Sequence, residues 1–224
     1  MSLEDVLYLK TSAKRARNDK DWGKASRLLG RAVAALDALG PTETTAATQK
    51  IITEYADIYG VHGGVERRWG LESTGTEQRE HLERSKNAYD KGYGYERELG
   101  DRAATYNRVN RIVARALVTP EFLLTGDDEV GVQELADIES DLQAKLDDSE
   151  GDPWAQCDLV MIQLLRGDPA TDALDRLEAM APRRFVYDSL LDTLRPLAEA
   201  TGKLRPHLVA AVAEVERQQS AANP

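Results

Sequence analysis

The chain has 224 residues, of which 42% are hydrophobic and 30% charged, with a net charge of −10 and a single cysteine. It is long enough to bury a sizeable core, yet no apolar run approaches the 18 residues that span a bilayer, and one cysteine excludes a disulfide framework. The acidic balance argues against nucleic acid as the main partner, because phosphate backbones call for a basic face.

The start, Met1-Ser2-Leu3-Glu4-Asp5, is acidic where a signal peptide is basic and then apolar, so the expected location is cytoplasmic. Abundant Ala, Leu, Arg and Glu favour helix. The first predicted helix runs from about Glu4 to Asn18, with Val6, Leu9, Ala13 and Ala16 on one face, and Asp19-Lys20-Asp21 breaks it. A second covers Trp22 to Leu39 and stops at Gly40-Pro41. After the Thr42–Thr45 cluster, Ile51, Ile52, Tyr55, Ile58 and Tyr59 mark a third helix reaching Trp69-Gly70. Leu71 to Thr76 reads as a loop, and Glu77 to Leu99 as a fourth helix closed by Gly100. Further helices are expected at Arg102–Val118, Val130–Leu146, Pro153–Arg166, Pro169–Met180, Phe185–Ala200 and Leu204–Gln218, with residues 219–224 as a frayed tail. No segment carries a convincing strand pattern, so the fold class is all-α.

The helices arrive in pairs, at about 4–39, 45–99, 102–146, 153–180 and 185–218, which calls for a repeat test. Where two helices cross closely, small residues must recur at fixed positions. Ala13 occupies such a position in the first helix, Trp22 follows the turn, and Ala25, Leu29 and Ala32 continue in the second. In the next pair Gly63 and Gly70 take the first-helix and turn positions, while Ser85, Tyr89 and Gly92 repeat the spacing of Ala25, Leu29 and Ala32. Leu71–Thr76 is then an insertion within that pair. Gly167-Asp168 marks the turn of a looser third match over Pro153–Ala181. The expectation is a single domain over 1–218, a tetratricopeptide-like right-handed α-solenoid of paired antiparallel helices. An irregular helical bundle is the alternative.

The stretches Tyr59-Gly-Val-His-Gly-Gly-Val-Glu-Arg-Arg-Trp-Gly70, Ala88-Tyr-Asp-Lys-Gly-Tyr-Gly-Tyr-Glu96 and Tyr106-Asn-Arg-Val-Asn110 resemble a divergent tetratricopeptide-repeat family of bacterial signalling and conflict systems. That family is similar to the TRAF-binding regulatory region of the apoptosis signal-regulating kinases. Tyr89, Gly92, Tyr93, Tyr106 and Asn110 match its Tyr-x-x-Gly-Tyr/Phe and Tyr-x-x-x-Asn helices, and Arg184–Leu197 resembles its closing helix. The resemblance covers roughly Thr45 to Leu197. It implies a non-enzymatic sensing or scaffolding module, often encoded beside effector domains.

Little in the sequence points to catalysis. His62, His81 and His207 are not at i+3 or i+4 from one another, so no helical metal pair is expected, nor any cofactor. Cys157 lies in an apolar stretch beside Asp158, which raises rather than lowers a thiol pKa, and reads as structural. No nucleophile elbow, P-loop or dinucleotide fingerprint occurs.

Charge distribution says more. Arg102 to Pro120 contains no acidic residue but holds Arg102, Arg108, Arg111 and Arg115. Taking Ala13, Gly63 and Asn110 as equivalent, the positions facing a concave groove are Lys10, Lys14 and Arg17, then Gly60, Gly64 and Arg67, then Asn107, Arg111 and Ala114. None is acidic. The candidate ligand-binding residues are therefore Lys10, Lys14, Arg67, Asn107, Asn110 and Arg111, with Tyr93 and Tyr106 as tyrosines able to stack or hydrogen-bond. Tyr89 reads as packing. Two partners fit such a groove: an acidic or C-terminal peptide of a protein, or a nucleotide-like anionic small molecule. A hydrolase of nucleotide-like substrates is the alternative from another class.

Overall fold

The computed structural model describes residues 2–40, 45–100, 105–122, 129–148 and 151–222. All its regular elements among these residues are α-helices: α1 (Leu3–Asn18), α2 (Trp22–Leu39), α3 (Thr45–Glu72), α4 (Gly75–Leu99), α5 (Tyr106–Val118), α6 (Glu129–Asp148), α7 (Pro153–Arg166), α8 (Thr171–Ala179), α9 (Arg184–Thr201) and α10 (Pro206–Ala221). The all-α expectation therefore holds. No helix among the described residues is long and apolar enough to cross a membrane.

Local chemistry sets the helix ends. Ser2 and Asp5 form a reciprocal capping box at α1, with Ser2 N donating to Asp5 Oδ2 at 2.6 Å and Asp5 N to Ser2 Oγ at 3.3 Å. Asp21 accepts from Lys24 N at the start of α2. Asp152 accepts from Trp154 N and Ala155 N at the start of α7, where Pro153 gives up a donor that has no helical partner. Gly100 and Gly167 close α4 and α7 with φ of 68° and 98°, a conformation that favours glycine.

Several expected boundaries move. Leu71–Thr76 is largely helical: α3 continues to Glu72, α4 begins at Gly75, and only Ser73 and Thr74 lie between. Ser73 N caps the end of α3 by donating to the carbonyls of Trp69 and Gly70, so two residues suffice for the turn. α10 extends to Ala221, past the expected frayed start at 219, and Ser220 Oγ bonds Glu216 O. Residues 41–44, 101–104 (with Arg102) and 223–224 lie outside the described residues.

The chain divides into two compact units, Met1–Ala114 and Arg115–Pro224. In the first, Val6, Leu9, Ala13 and Ala16 of α1 are buried with Ala25, Leu29, Ala32 and Leu36 of α2 and Ile58, Val61 and Val65 of α3. α3 packs along α4 at very short range. A Cβ on Gly63 would lie 2.7 Å from Tyr89 ring carbons, and Ser85 Oγ donates to Gly63 O at 2.8 Å. A Cβ on Gly92 would fall 2.6 Å from the Asn107 amide. In the second unit α7 contacts α6, α8 and α9. Its residues Leu159, Val160, Met161, Ile162, Leu164 and Leu165 are all buried.

The small residues of α2 and α3 are therefore fixed by contact. Ala25→Leu and Ala32→Leu should each cost about 1–3 kcal/mol by overpacking. Gly63→Ala should destabilise comparably, because the Tyr89 ring leaves no room for a methyl. Chemical denaturation checks this, and parent-like midpoints for all three would show the positions to be accommodating.

Candidate functional site

The helices of the first unit gather most sequence-predicted site residues, but not as one open groove. Lys10 on α1 reaches Glu54 Oε2 at 2.5 Å and Asp57 Oδ2 at 2.7 Å on α3, and Lys14 lies 3.7 Å from the same Asp57. Burial lowers the Lys10 pKa, and the two carboxylates more than restore it, so Lys10 titrates above the ordinary lysine value. These two cations are compensated within the chain. Arg111 sits 3.4 Å from Asp90 Oδ1 and 4.5 Å over the Tyr93 ring, which Arg108 also approaches at 5.9 Å. Tyr93 and Arg111 thus form a local cation–π pair between α4 and α5.

Asn107, Gly60, Gly64, Arg67 and Ala114 were expected to face the groove, and all five are buried. The reason is the missing side chains at Gly60 and Gly92, which let α5 settle close to α3 and α4. Asn107 fills the space over Gly92, donating Nδ2 to Ala56 O at 3.1 Å and to Glu96 Oε1 at 2.7 Å. Glu96 also accepts from Asn107 N, placing a carboxylate at the N-terminus of α5 where the helix dipole favours it. Asn107 is a packing residue that sets the position of α5.

α5 in turn places Asn110, whose Nδ2 donates to Tyr106 O at 2.8 Å while its Oδ1 accepts from Arg67 Nη1 at 3.0 Å. Arg67 is only 6% exposed, and its Nε has no hydrogen-bond partner. No ion pair involves Arg67 among the described residues. Tyr89 is fully buried. Tyr106 packs edge-on to Tyr89 at 6.2 Å between ring centroids and is 52% exposed. Its pKa is raised well above the ordinary phenol value. The Tyr89 hydroxyl is the first cause and burial of the Tyr106 oxygen the second, opposed by Arg67 and Arg68. The Arg17 guanidinium is lowered, first by burial and then by repulsion from Arg68. Asn110 and Tyr106 therefore link α5 to Arg67 of α3 and to Tyr89 of α4.

Sequence reasoning missed a second polar cluster on the same helix. Glu66, 2% exposed, accepts from Ser26 Oγ at 2.7 Å, lies 2.7 Å from His81 Nδ1 and 3.4 Å from His62 Nε2, and has Arg84 at 4.0 Å. Trp69 stacks on the His81 ring at 3.9 Å. Burial pushes the Glu66 pKa up, but hydrogen bonds from His62, His81 and Ser26 outweigh it and hold the carboxyl down at about 2. The i, i+4 spacing of His62 and Glu66 was the available signal. Ser26 Oγ and His62 Nε2 meet the same Glu66 oxygen. A serine–histidine–acid relay instead uses the two imidazole nitrogens for separate partners.

In the second unit Cys157 is 7% exposed, and burial first, then Asp158 and Asp152, push its thiol far above the ordinary range. No group of three His, Cys, Asp or Glu side chains among the described residues is arranged to hold a metal ion. No family model matches the chain, and none of the curated proteins or solved structures matches it.

The Glu66 cluster predicts acid sensitivity. A carboxyl depressed from its ordinary 4.5 to about 2 stabilises the fold fully above pH 4.5, and that contribution disappears as pH falls toward 2. Its size is about 3 kcal/mol. Urea midpoints should drop steeply from pH 5 to 2.5 in the parent and less in Glu66→Gln, which starts lower. Equal slopes would place the acid-labile group elsewhere.

Proposed function

We propose that the chain is a tetratricopeptide-like α-solenoid of paired antiparallel helices, acting as a non-enzymatic binding module in a bacterial signalling or defence system. Matching burial of Ala25, Leu29 and Ala32 with Ser85, Tyr89 and Gly92 supports the repeat reading, as does the packing of α1 with α2 and α3 with α4. The resemblance of Tyr59–Gly70, Ala88–Glu96 and Tyr106–Asn110 to the divergent tetratricopeptide family supports the role, and the acidic start with a single cysteine supports a cytoplasmic setting.

The observation that carries the binding function is Arg67, a buried guanidinium whose hydrogen bond goes to an amide and not to a carboxylate. Burying a charge without its counter-charge is costly, and an arriving anion supplies what the described residues lack. The recognised feature is therefore an anionic group, on a small molecule or at an acidic or C-terminal peptide. The recognition surface is narrower than a whole basic groove, because Lys10 and Lys14 already hold Glu54 and Asp57.

A thermal-shift panel of phosphorylated small molecules and acidic peptides tests this, since a ligand of the native state raises apparent stability by mass action. Stabilisation should weaken between low and moderate salt. Arg67→Gln should abolish it, whereas Arg217→Ala, in the second unit, should not. Parent-like stabilisation of Arg67→Gln would move recognition away from Arg67, and turnover of any probe would overturn the non-enzymatic reading.

A further inference from the structure

The second unit carries an aromatic pair that its core does not absorb. Trp154, at the start of α7, and Phe185, at the start of α9, are 46% and 53% exposed, and their ring centroids lie 5.9 Å apart. Single exposed apolar side chains are common, but two large aromatics in contact at the surface make a patch. Arg183 and Arg184, the two residues before Phe185, are exposed, and neither makes a hydrogen bond or ion pair among the described residues. Nearby acids are engaged elsewhere: Asp152 caps α7 and holds Lys145 at 3.1 Å, and Asp188 accepts from Gln219. The fold gains nothing from the two charges, because the first turn of α9 has no acid and the helix dipole disfavours cations there. Even the turn that delivers them is costly. Ala181 adopts a φ of 46°, a region that favours glycine, directly before the buried Pro182.

We propose that Trp154, Phe185, Arg183 and Arg184 form a docking surface for a short acidic segment of a partner protein that also carries apolar side chains. This surface lies in the second unit and does not depend on the reading of Arg67. The two rings offer apolar area to the partner's aliphatic side chains, and the guanidinium groups offer forked donors to its carboxylates. Complementary charge selects the occupant. In a chain of net charge −10, two uncompensated arginines attract an acidic segment locally, whereas a long polyanion also meets the surrounding negative charge. Trp and Arg are also the residue types that most often carry the energy of an interface. The patch is small, so the contact is weak and exchangeable.

An NMR titration of the full chain with an acidic peptide, Asp and Glu around a Leu-Leu pair, tests the surface at the tryptophan indole N–H signals. Trp22 and Trp69 belong to the first unit, so the peptide should shift the Trp154 signal, assigned with Trp154→Phe, and leave theirs in place. Fluorescence anisotropy of the labelled peptide gives the affinity. Exchanging the Leu pair for Ser at equal charge should weaken binding by about tenfold or more. Phe185→Ser should do the same. The double variant Arg183→Gln, Arg184→Gln should also bind about tenfold or more weakly and lose salt dependence, yet melt as the parent does, because neither side chain is engaged. Lys203→Ala, beyond the far end of α9, should bind as the parent does. Equal affinity for the Leu and Ser peptides, or an unmoved Trp154 signal, would overturn the surface. A dT oligonucleotide that binds more tightly than the peptide and shifts the same indole would overturn the choice of partner. Parent-like peptide binding by Phe185→Ser and by the double arginine variant would overturn the proposal outright; if Arg67→Gln abolishes that binding, the peptide belongs to the first unit and the earlier reading stands.

Discussion

Bare backbone at Gly63 and Gly92 is the constraint from which the first unit is built. At Gly63 the Tyr89 ring occupies the volume that a methyl group would take, so α3 and α4 approach to ring-on-backbone distance. At Gly92 the Asn107 amide does the same for α5. Asn107 then clips Glu96 against the first amides of α5, and that helix carries Asn110 to within hydrogen-bonding distance of Arg67. The placement of Asn110 beside Arg67 is thus traceable to the side chain that is absent at Gly92. Close approach of this kind gains dispersion contacts and removes water, which raises the stakes for every polar group enclosed.

Adjacent residues of α3 meet those stakes in opposite ways. Glu66 points toward α2 and α4 and finds Ser26, His62, His81 and Arg84, a set that more than offsets its desolvation. Arg67, one position on, turns toward α5 and meets an amide. Lys10 shows that the fold compensates a partly buried cation readily where acids are at hand, with Glu54 and Asp57 both within 2.7 Å. The difference between Lys10 and Arg67 is that the first meets two carboxylates and the second an amide.

Much of the fold was legible because its determinants are local. Helix ends at Asn18, Leu39, Leu99 and Arg166 follow from Asp21, Gly40, Gly100 and Gly167, whose preferences act within a few residues. The recurrence of Ser85, Tyr89 and Gly92 at the spacing of Ala25, Leu29 and Ala32 was also readable, since small residues at helix crossings leave a periodic trace. The site was legible only in part. Repeat register marks which positions face a neighbouring surface, but not whether another helix covers them, so the burial of Arg67 and Asn107 was not legible. It is equally silent on pairing at a distance of forty residues, which is why Glu54 and Asp57 were not seen opposite Lys10. The Glu66 cluster draws its ligands from residues 26, 62 and 81, and no local pattern announces such a meeting.

Arg205 in the second unit carries a different kind of consequence. Its guanidinium, 2% exposed, donates to the backbone carbonyls of Pro120 and Phe122, more than eighty residues earlier in the chain. During synthesis the first unit has all its residues once Ala114 has emerged, and domains made earlier generally fold earlier. The stretch around Pro120 must wait for the arginine that secures its carbonyls. For roughly the time taken to add those residues, several seconds at ribosomal rates, the nascent chain holds a finished first half and an unsecured beginning of the second. The order of assembly is written into a single long-range clasp, and the ribosome completes the first half well before it supplies the residue that fastens the other.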